Sequence, residues 1–261
     1  MNSRELARLV MITGIGIMMN THEARAQSLS IDQATLAEQN AKTSQISTEL
    51  LRRILTDKSA VVLDSRSRAE YDAGHIPGAI NLDAPTKEQV GTVGGLVGGD
   101  KTKALVLYCN GPYCQASRGL GERLVEAGFT NVSRYQLGIP IWRALGGPTV
   151  VELGGIKRVF KADQTAVFFD ARSKVEFAKG SLPNARSAPV DDLSSGILKK
   201  IDLPEDDFNR RIILFGRDAA QAQQLAEILS KRPWHNVAYF PGTYAELSRA
   251  LTTKRPLPGG R

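Results

Sequence analysis

The sequence predicts an α/β fold written twice, each copy a mostly parallel sheet flanked by helices. An internal repeat carries the prediction first. Val61-Val62-Leu63-Asp64-Ser65-Arg66-Ser67-Arg68-Ala69-Glu70-Tyr71 returns as Val167-Phe168-Phe169-Asp170-Ala171-Arg172-Ser173-Lys174-Val175-Glu176-Phe177. The match runs on from Gly74, Pro77 and Ala79 to Gly180, Pro183 and Ala185, and Asn131-Val132 is matched by Asn236-Val237. Within each copy, short β-branched or aromatic runs alternate with apolar residues at helical spacing. Length and composition agree: 261 residues, 42% apolar and 23% charged, suit two modest globular domains and exclude collagen-like or disordered chains. No apolar run reaches the ~18 residues of a membrane span. Two cysteines and three scattered histidines are too few for a disulfide scaffold or a zinc site. The net charge of +7 is spread along the chain. It suits small anions and lacks the basic, aromatic-laced stripe of a nucleic-acid site.

In chain order, Arg4 and Arg8 precede the apolar stretch Leu9 to Met19, and Ala24-Arg25-Ala26 is a small-x-small cleavage pattern. Residues 1–26 therefore read as a signal peptide. The mature chain is then expected to start at Gln27 in the periplasm or outside the cell, an oxidising space, without stable membrane insertion; a short membrane anchor or a buried helix is the alternative for the same stretch. Residues 27–46 read as a polar leader. The first domain, 47–148, opens on a helix over Thr48 to Leu55, with Ser47 as N-cap and Leu50, Leu51 and Ile54 facing inward. Val61–Leu63 is a buried strand, followed by a short polar helix and an extended piece holding Pro77. Residues 84–103 read as a weak helix ending in a glycine-rich loop. Leu105–Tyr108 is the second buried strand. The helix after it shows Ala116, Leu120, Leu124 and Ala127, with Gly128 at its C-terminal cap. Residues 149–165, two apolar runs around Gly154-Gly155, predict a β-hairpin linker. The second domain, 166–253, repeats the pattern with strands Val167–Phe169 and Ile212–Phe215 and a stripe of Leu225, Ile228 and Leu229. Residues 254–261 form a Pro/Gly-rich tail, read as flexible.

Chemistry concentrates in one loop. Cys109-Asn110-Gly111-Pro112-Tyr113-Cys114 joins the second buried strand to a helix beginning near Gln115. Ligands of open α/β sheets bind beyond the strands' carboxyl ends. A loop entering a helix N-terminus turns N–H groups and the positive dipole end inward. A thiol placed there is expected to ionise near neutrality, and the same cradle would hold an anion or a persulfide. The spacing alone is equally compatible with a structural disulfide or a packed thiol.

The assembled pattern resembles the rhodanese (thiosulfate:cyanide sulfurtransferase) family in its tandem form, over roughly residues 47–251. The matching pieces are Leu63-Asp64-Ser65-Arg66, Glu70-Tyr71, Gly74-His75-Ile76-Pro77-Gly78-Ala79, Leu107-Tyr108-Cys109 and Gly138-Ile139-Pro140-Ile141-Trp142. The resemblance implies that Cys109 takes a sulfane sulfur as a persulfide from a small anionic donor such as thiosulfate and passes it to cyanide or a thiol. Residues Asn110 to Gln115 would form the binding loop, and no metal or organic cofactor is implied. The six-position loop is the family's persulfide length. Related phosphatases use one residue more and end in Arg where Gln115 stands, which argues against phosphate-ester hydrolysis.

Departures from the family pattern fall in the same loop. Pro112 removes one N–H donor. Cys114 reads either as a resolving thiol that attacks a Cys109 persulfide or sulfenate, or as a small loop filler. A cradle that needs its N–H groups fixed favours the filler and two thiols held apart. Asp64 and Arg66 are expected to support the loops by charge-assisted hydrogen bonds, because Asp170 and Arg172 persist in a copy without the nucleophile. His75, replaced by Ser181, reads as a packing residue rather than a base, and Trp142 and Trp234 as anchors. Gly216 aligns with Cys109, and the segment to Leu225 is two residues shorter than that from Cys109 to Leu120, so the second copy is read as inactive. It would pack against the first domain and wall its crevice. Two other function classes remain open: a thiol–disulfide protein cycling through Cys109 and Cys114, and a non-catalytic sulfur carrier or binding module.

Overall fold

The computed structural model describes residues 40–190 and 201–252. The signal-peptide reading of 1–26, most of the leader and the tail 254–261 lie outside them. The first domain runs β1 (Ser44–Gln45), α1 (Thr48–Asp57), β2 (Val61–Asp64), α2 (Arg68–Ala73), β3 (Ile80–Asn81), α3 (Gln89–Leu96), β4 (Leu105–Tyr108), α4 (Gln115–Glu126), β5 (Val132–Tyr135) and α5 (Gly138–Ala144). The second runs β6 (Thr149–Val150), α6 (Leu153–Ala162), β7 (Val167–Asp170), α7 (Lys174–Ala178), β8 (Arg186–Ser187), β9 (Ile212–Phe215), α8 (Ala219–Ser230), β10 (Val237–Tyr239) and α9 (Tyr244–Thr252). Each sheet has five parallel strands. The orders β1-β5-β4-β2-β3 and β6-β10-β9-β7-β8 are the same permutation.

Burial follows the pleat. Val62, Val106, Tyr108 and Tyr135 face Leu51, Ile139 and Trp142 on one side of the first sheet. Leu63, Leu105, Leu107 and Val132 face Val93, Leu120 and Leu124 on the other. The second sheet divides likewise, Phe169, Ile212 and Leu214 toward Leu225 and Leu229, and Phe168, Ile213 and Phe215 toward Ile156, Val159 and Leu247. Strands covered on both faces are apolar along most of their length, with Asp64 and Asp170 only at the ends of β2 and β7, which explains why the central ones read as continuous runs rather than alternations.

Two local expectations hold. Ser47 caps α1, its hydroxyl accepting from the Leu50 amide at 3.2 Å. Gly128, at φ +91°, closes α4 in a Schellman pattern with Gly128 N–H on Val125 and Phe129 N–H on Leu124. Two capping boxes, Ser67 with Glu70 and Ser173 with Glu176, start α2 and α7. Their S-x-x-E spacing is the sequence signature of such a box.

The linker reading is corrected. Residues 149–165 form no hairpin: Thr149–Val150 is the edge strand of the second sheet, parallel to β10, and Leu153–Ala162 is a helix. Gly154-Gly155 is no turn but the start of that helix, where a Cβ on Gly155 would collide with the Asp72 carbonyl of α2. Close helix approach, not turn geometry, accounts for Gly155. The end of the leader is corrected too, since Ser44–Gln45 pairs in parallel with β5. Each repeat thus begins earlier than the sequence match, at β1–α1 and at β6–α6.

Candidate active site

The residue before Cys109 is fixed from three sides. The Ser65 amide and hydroxyl both donate to the Tyr108 carbonyl, at 3.1 and 2.6 Å. The Tyr108 hydroxyl donates to Asp64 Oδ2 at 2.6 Å and accepts from the Ile76 amide at 3.1 Å. Burial, then the charge of Asp64, pushes the Tyr108 phenol well above its ordinary pKa, so it stays a donor. Asp64 in turn receives Arg66 through Nε at 3.0 Å and Nη2 at 2.6 Å, and Arg66 Nη2 reaches on to the Gly74 carbonyl at 2.8 Å. Asp64 and Arg66 are therefore scaffold, holding the strand end and the turn at Gly74.

The loop itself is tied on both flanks. Cys109 is 3% exposed, and its carbonyl accepts from Ile139 N–H at 3.2 Å. Asn110 Nδ2 donates to Glu70 Oε1 at 2.5 Å. That amide and, more strongly, the Ser67 hydroxyl hold the Glu70 carboxyl below the usual range. Gly138 sits at φ +63°, where a Cβ would collide with the Cys109 carbonyl and the Gly111 amide. Glycine is required there by both conformation and approach. In sequence Gly138 is part of the family pattern, and only the packing shows its role.

Cys114 is the N-cap of α4 and makes no side-chain capping bond. Its amide donates to the Gly111 carbonyl at 3.0 Å. The cradle therefore lacks two donors, at Pro112, as sequence predicts, and also at Cys114. Among the described residues, the amides of Asn110, Gly111, Tyr113 and Gln115 meet no protein acceptor. Tyr113 stands 93% exposed beside them.

The two thiols are not held apart. Cys109 and Cys114 form a disulfide with Cα atoms 6.2 Å apart, inside the range such bonds span. The turn Gly111–Cys114 brings the N-cap back over the strand end while α4 stays intact, so closure needs no local unfolding.

His75 lies outside the loop. Its Nδ1 is 3.0 Å from the Tyr71 carbonyl, its ring stacks on Tyr71 at 3.6 Å, and burial pushes its pKa down to about 4. Its backbone exchanges two 2.9 Å hydrogen bonds with Val150 of β6. It is a packing residue at the domain seam. Trp142 and Trp234 are buried anchors whose indole N–H groups donate to the Pro148 and Pro204 carbonyls. Gln136 was missed. It follows Tyr135 as Cys109 follows Tyr108, is buried, and leaves its Oε1 without a donor. No hydropathy signal marks such a residue.

The domains meet through α2 and α6. Glu152 N–H donates to the Asp72 carbonyl at 2.9 Å and Arg158 Nη2 to the Ala69 carbonyl at 3.0 Å. Away from that contact, a cleft of about 530 Å³ between the two domains is lined by Arg52, Trp142, Gln223, Glu227 and Tyr239, and residues 109–115 are not among its walls. In the second domain Gly216 takes the place of Cys109, and only residues 216–218 separate β9 from α8. Among the described residues no group of three or more His, Cys, Asp and Glu side chains is placed to hold a metal.

An HTH-type transcriptional regulator of Mycobacterium tuberculosis is 38% identical over 100 residues, 38% of this chain and 41% of that protein. A tRNA uridine(34) hydroxylase of Hamiltonella defensa is 32% identical over 91 residues, 34% of this chain and 25% of that one. The chain thus spans less than half the length of either relative. A thiosulfate sulfurtransferase structure from Pseudomonas aeruginosa is 24% identical with a TM-score of 0.34, covering 83% of this chain and 46% of that chain. The family model for the rhodanese-like domain matches residues 47–145 and again 157–250, both halves of the repeat, and the chain belongs to that family as two domains in tandem.

Proposed function

We propose that the first domain is a sulfurtransferase whose nucleophile is Cys109. The observation that carries the reading is the position of Cys109, at a strand end facing the N-terminus of α4, inside a loop with four uncommitted amides. A helix N-terminus favours an anionic sulfur, and the amides suit an anionic donor or the outer sulfur of a persulfide. The thiolate would attack the sulfane sulfur of a donor such as thiosulfate, and sulfite would leave with the bonding pair. An acceptor, cyanide or a thiol, would then attack the outer sulfur and return Cys109 as thiolate. The disulfide is the oxidised form, which must be opened before this chemistry starts. Tandem placement with a degenerate partner suits a structural role for the second domain. Export follows from the reading of residues 1–26, and N-terminal sequencing of the protein from its host should start at Gln27. The test of function is thiocyanate formation from thiosulfate and cyanide by the reduced full chain. A reduced chain that forms no persulfide with any sulfane donor would refute the assignment.

A further inference from the structure

The disulfide joins the buried nucleophile to the half-buried residue that caps α4. We propose that the protein releases hydrogen sulfide by an internal step, in which the Cys114 thiolate attacks Sγ of the Cys109 persulfide. The proposal rests on the sulfur-transfer reading of Cys109 and extends it to the fate of the sulfur. The bond from Cys114 Sγ to Cys109 Sγ forms. The bond from Cys109 Sγ to the outer sulfur breaks, and its electron pair departs with that sulfur as HS⁻. The sulfane sulfur is reduced to sulfide, and the two protein thiols are oxidised to the disulfide. A dithiol resets the site: one thiolate attacks Cys114 Sγ and expels the Cys109 thiolate. The second then displaces Cys114 and closes the reductant's own disulfide.

Three features of the loop favour this course over a persulfide that waits for an external acceptor. Cys114 Sγ is bonded to Cys109 Sγ itself, which is the inner sulfur of a persulfide and the atom whose attack expels sulfide. Exposure is asymmetric. Cys109 is buried and Cys114 half-buried with Tyr113 fully open beside it, so an incoming dithiol meets Cys114 first. The leaving Cys109 thiolate then faces the N-terminus of α4, and a stabilised leaving thiolate departs faster. Finally, Pro112 has no amide and that of Cys114 is spent on Gly111, so two fewer donors hold the outer sulfur in place.

Single turnover tests the step. The full chain is reduced, freed of reductant, and mixed with one equivalent of thiosulfate without cyanide. Sulfite, sulfide and intact mass are measured. The expected result for wild type is one sulfite and one sulfide per chain, with a mass two hydrogens below that of the reduced protein. Cys114→Ser, a residue well suited to an N-cap, should release sulfite alone and gain one sulfur at Cys109. Cys114→Ala should do the same. A wild type that keeps the added sulfur at Cys109 and frees no sulfide would overturn the internal step while leaving sulfur transfer standing. If neither wild type nor Cys114→Ser takes up sulfur or frees sulfite, the assignment of Cys109 falls with it.

Discussion

The two domains keep one scaffold and differ where a nucleophile is housed. Asp170 and Arg172 repeat the contacts of Asp64 and Arg66 almost atom for atom. Arg172 Nη2 lies 2.6 Å from Asp170 and 2.8 Å from the Gly180 carbonyl, against 2.6 Å from Asp64 and 2.8 Å from Gly74 in the first domain. The bond from the last helix back to the strand end is also shared, Ile139 N–H on Cys109 and Tyr244 N–H on Gly216. What changes is the loop. Six residues separate β4 from α4, and three separate β9 from α8. The position before the shared amide is Gly138 in one copy and Thr243 in the other, because only the longer loop brings Gly111 against it. The scaffold that survives without chemistry is the part that serves stability. The part that does not survive is the loop to which we assign the sulfur chemistry.

The comparison breaks most sharply at the nucleophile. Cys109→Ser should lower sulfur transfer at least about a thousandfold, since a hydroxyl is not ionised near neutrality. Gly216→Ala should leave the rate unchanged in the same thiosulfate-to-cyanide assay. Comparable rates for wild type and Cys109→Ser would remove the first domain's claim to the chemistry.

The next effect belongs to Gly138. Alanine there must adopt a positive φ and meet both the Cys109 carbonyl and the Gly111 amide, a cost of about 2–4 kcal/mol from strain and overpacking together. The loop would shift to relieve it, and a displaced nucleophile costs about a hundredfold in kcat/KM. Thr243→Ser at the matching position should leave transfer unaltered. Urea melts and kinetics of the two variants check both halves. A Gly138→Ala variant with wild-type kinetics would mean that the crowding does not position the loop.

His75 and Ser181 separate the copies by pH. Buried His75 has a pKa of about 4 in the folded chain against an ordinary 6.5. Between those values the unfolded state binds the extra proton, so stability rises with pH through that window and is lost as pH falls through it. The loss amounts to at most about 3 kcal/mol. Below about pH 4 this contribution is gone. Thermal melts from pH 7 to pH 4 should show it, and His75→Ser should flatten the curve. An equally steep curve in that variant would assign the effect to carboxylates instead.

Much of this architecture is legible in sequence because the repeat compares the protein with itself. Val61–Leu63 and Val167–Phe169 need only be apolar on both faces to announce central parallel strands. The Asp-x-Arg pair, retained without a cysteine, announces a scaffold. Edge strands are silent by contrast. Ser44–Gln45 and Thr149–Val150 are two residues each, too short for any periodicity, and so the repeat was read as starting too late. Gly154-Gly155 misled because a glycine pair signals a turn or a close approach equally, and only the Asp72 carbonyl against Gly155 decides between them. At the site, the position of Cys109 and Cys114 follows from the strand–loop–helix order. Whether the sulfurs meet depends on the Gly111–Cys114 turn: Pro112 at its second position signals a turn, but not how close it brings the two sulfurs.

The smallest effect is the most specific. In the first domain the hydroxyl on the scaffold carboxylate comes from Tyr108, 2.6 Å from Asp64. The strand position equivalent to Tyr108 is Phe215 in the second domain, and the hydroxyl there comes from Ser181, 2.6 Å from Asp170 and equivalent to His75. One donor has moved between two residues while the carboxylate and its arginine stayed. Tyr108→Phe alone leaves Asp64 Oδ2 with Arg66 only, and strips the Ile76 amide of its acceptor, at a cost of about 1–3 kcal/mol. His75→Ser alone loses the stack on Tyr71 and gains a second hydroxyl with little room to use. Together the substitutions rebuild the second domain's arrangement in the first, so their costs should sum to less than expected, with a favourable coupling of about 1 kcal/mol. Recovery stays partial because the Ile76 amide still lacks its phenol. A urea-denaturation double-mutant cycle measures this directly. Additivity within about 0.5 kcal/mol would mean that the two hydroxyls do not serve the same carboxylate contact.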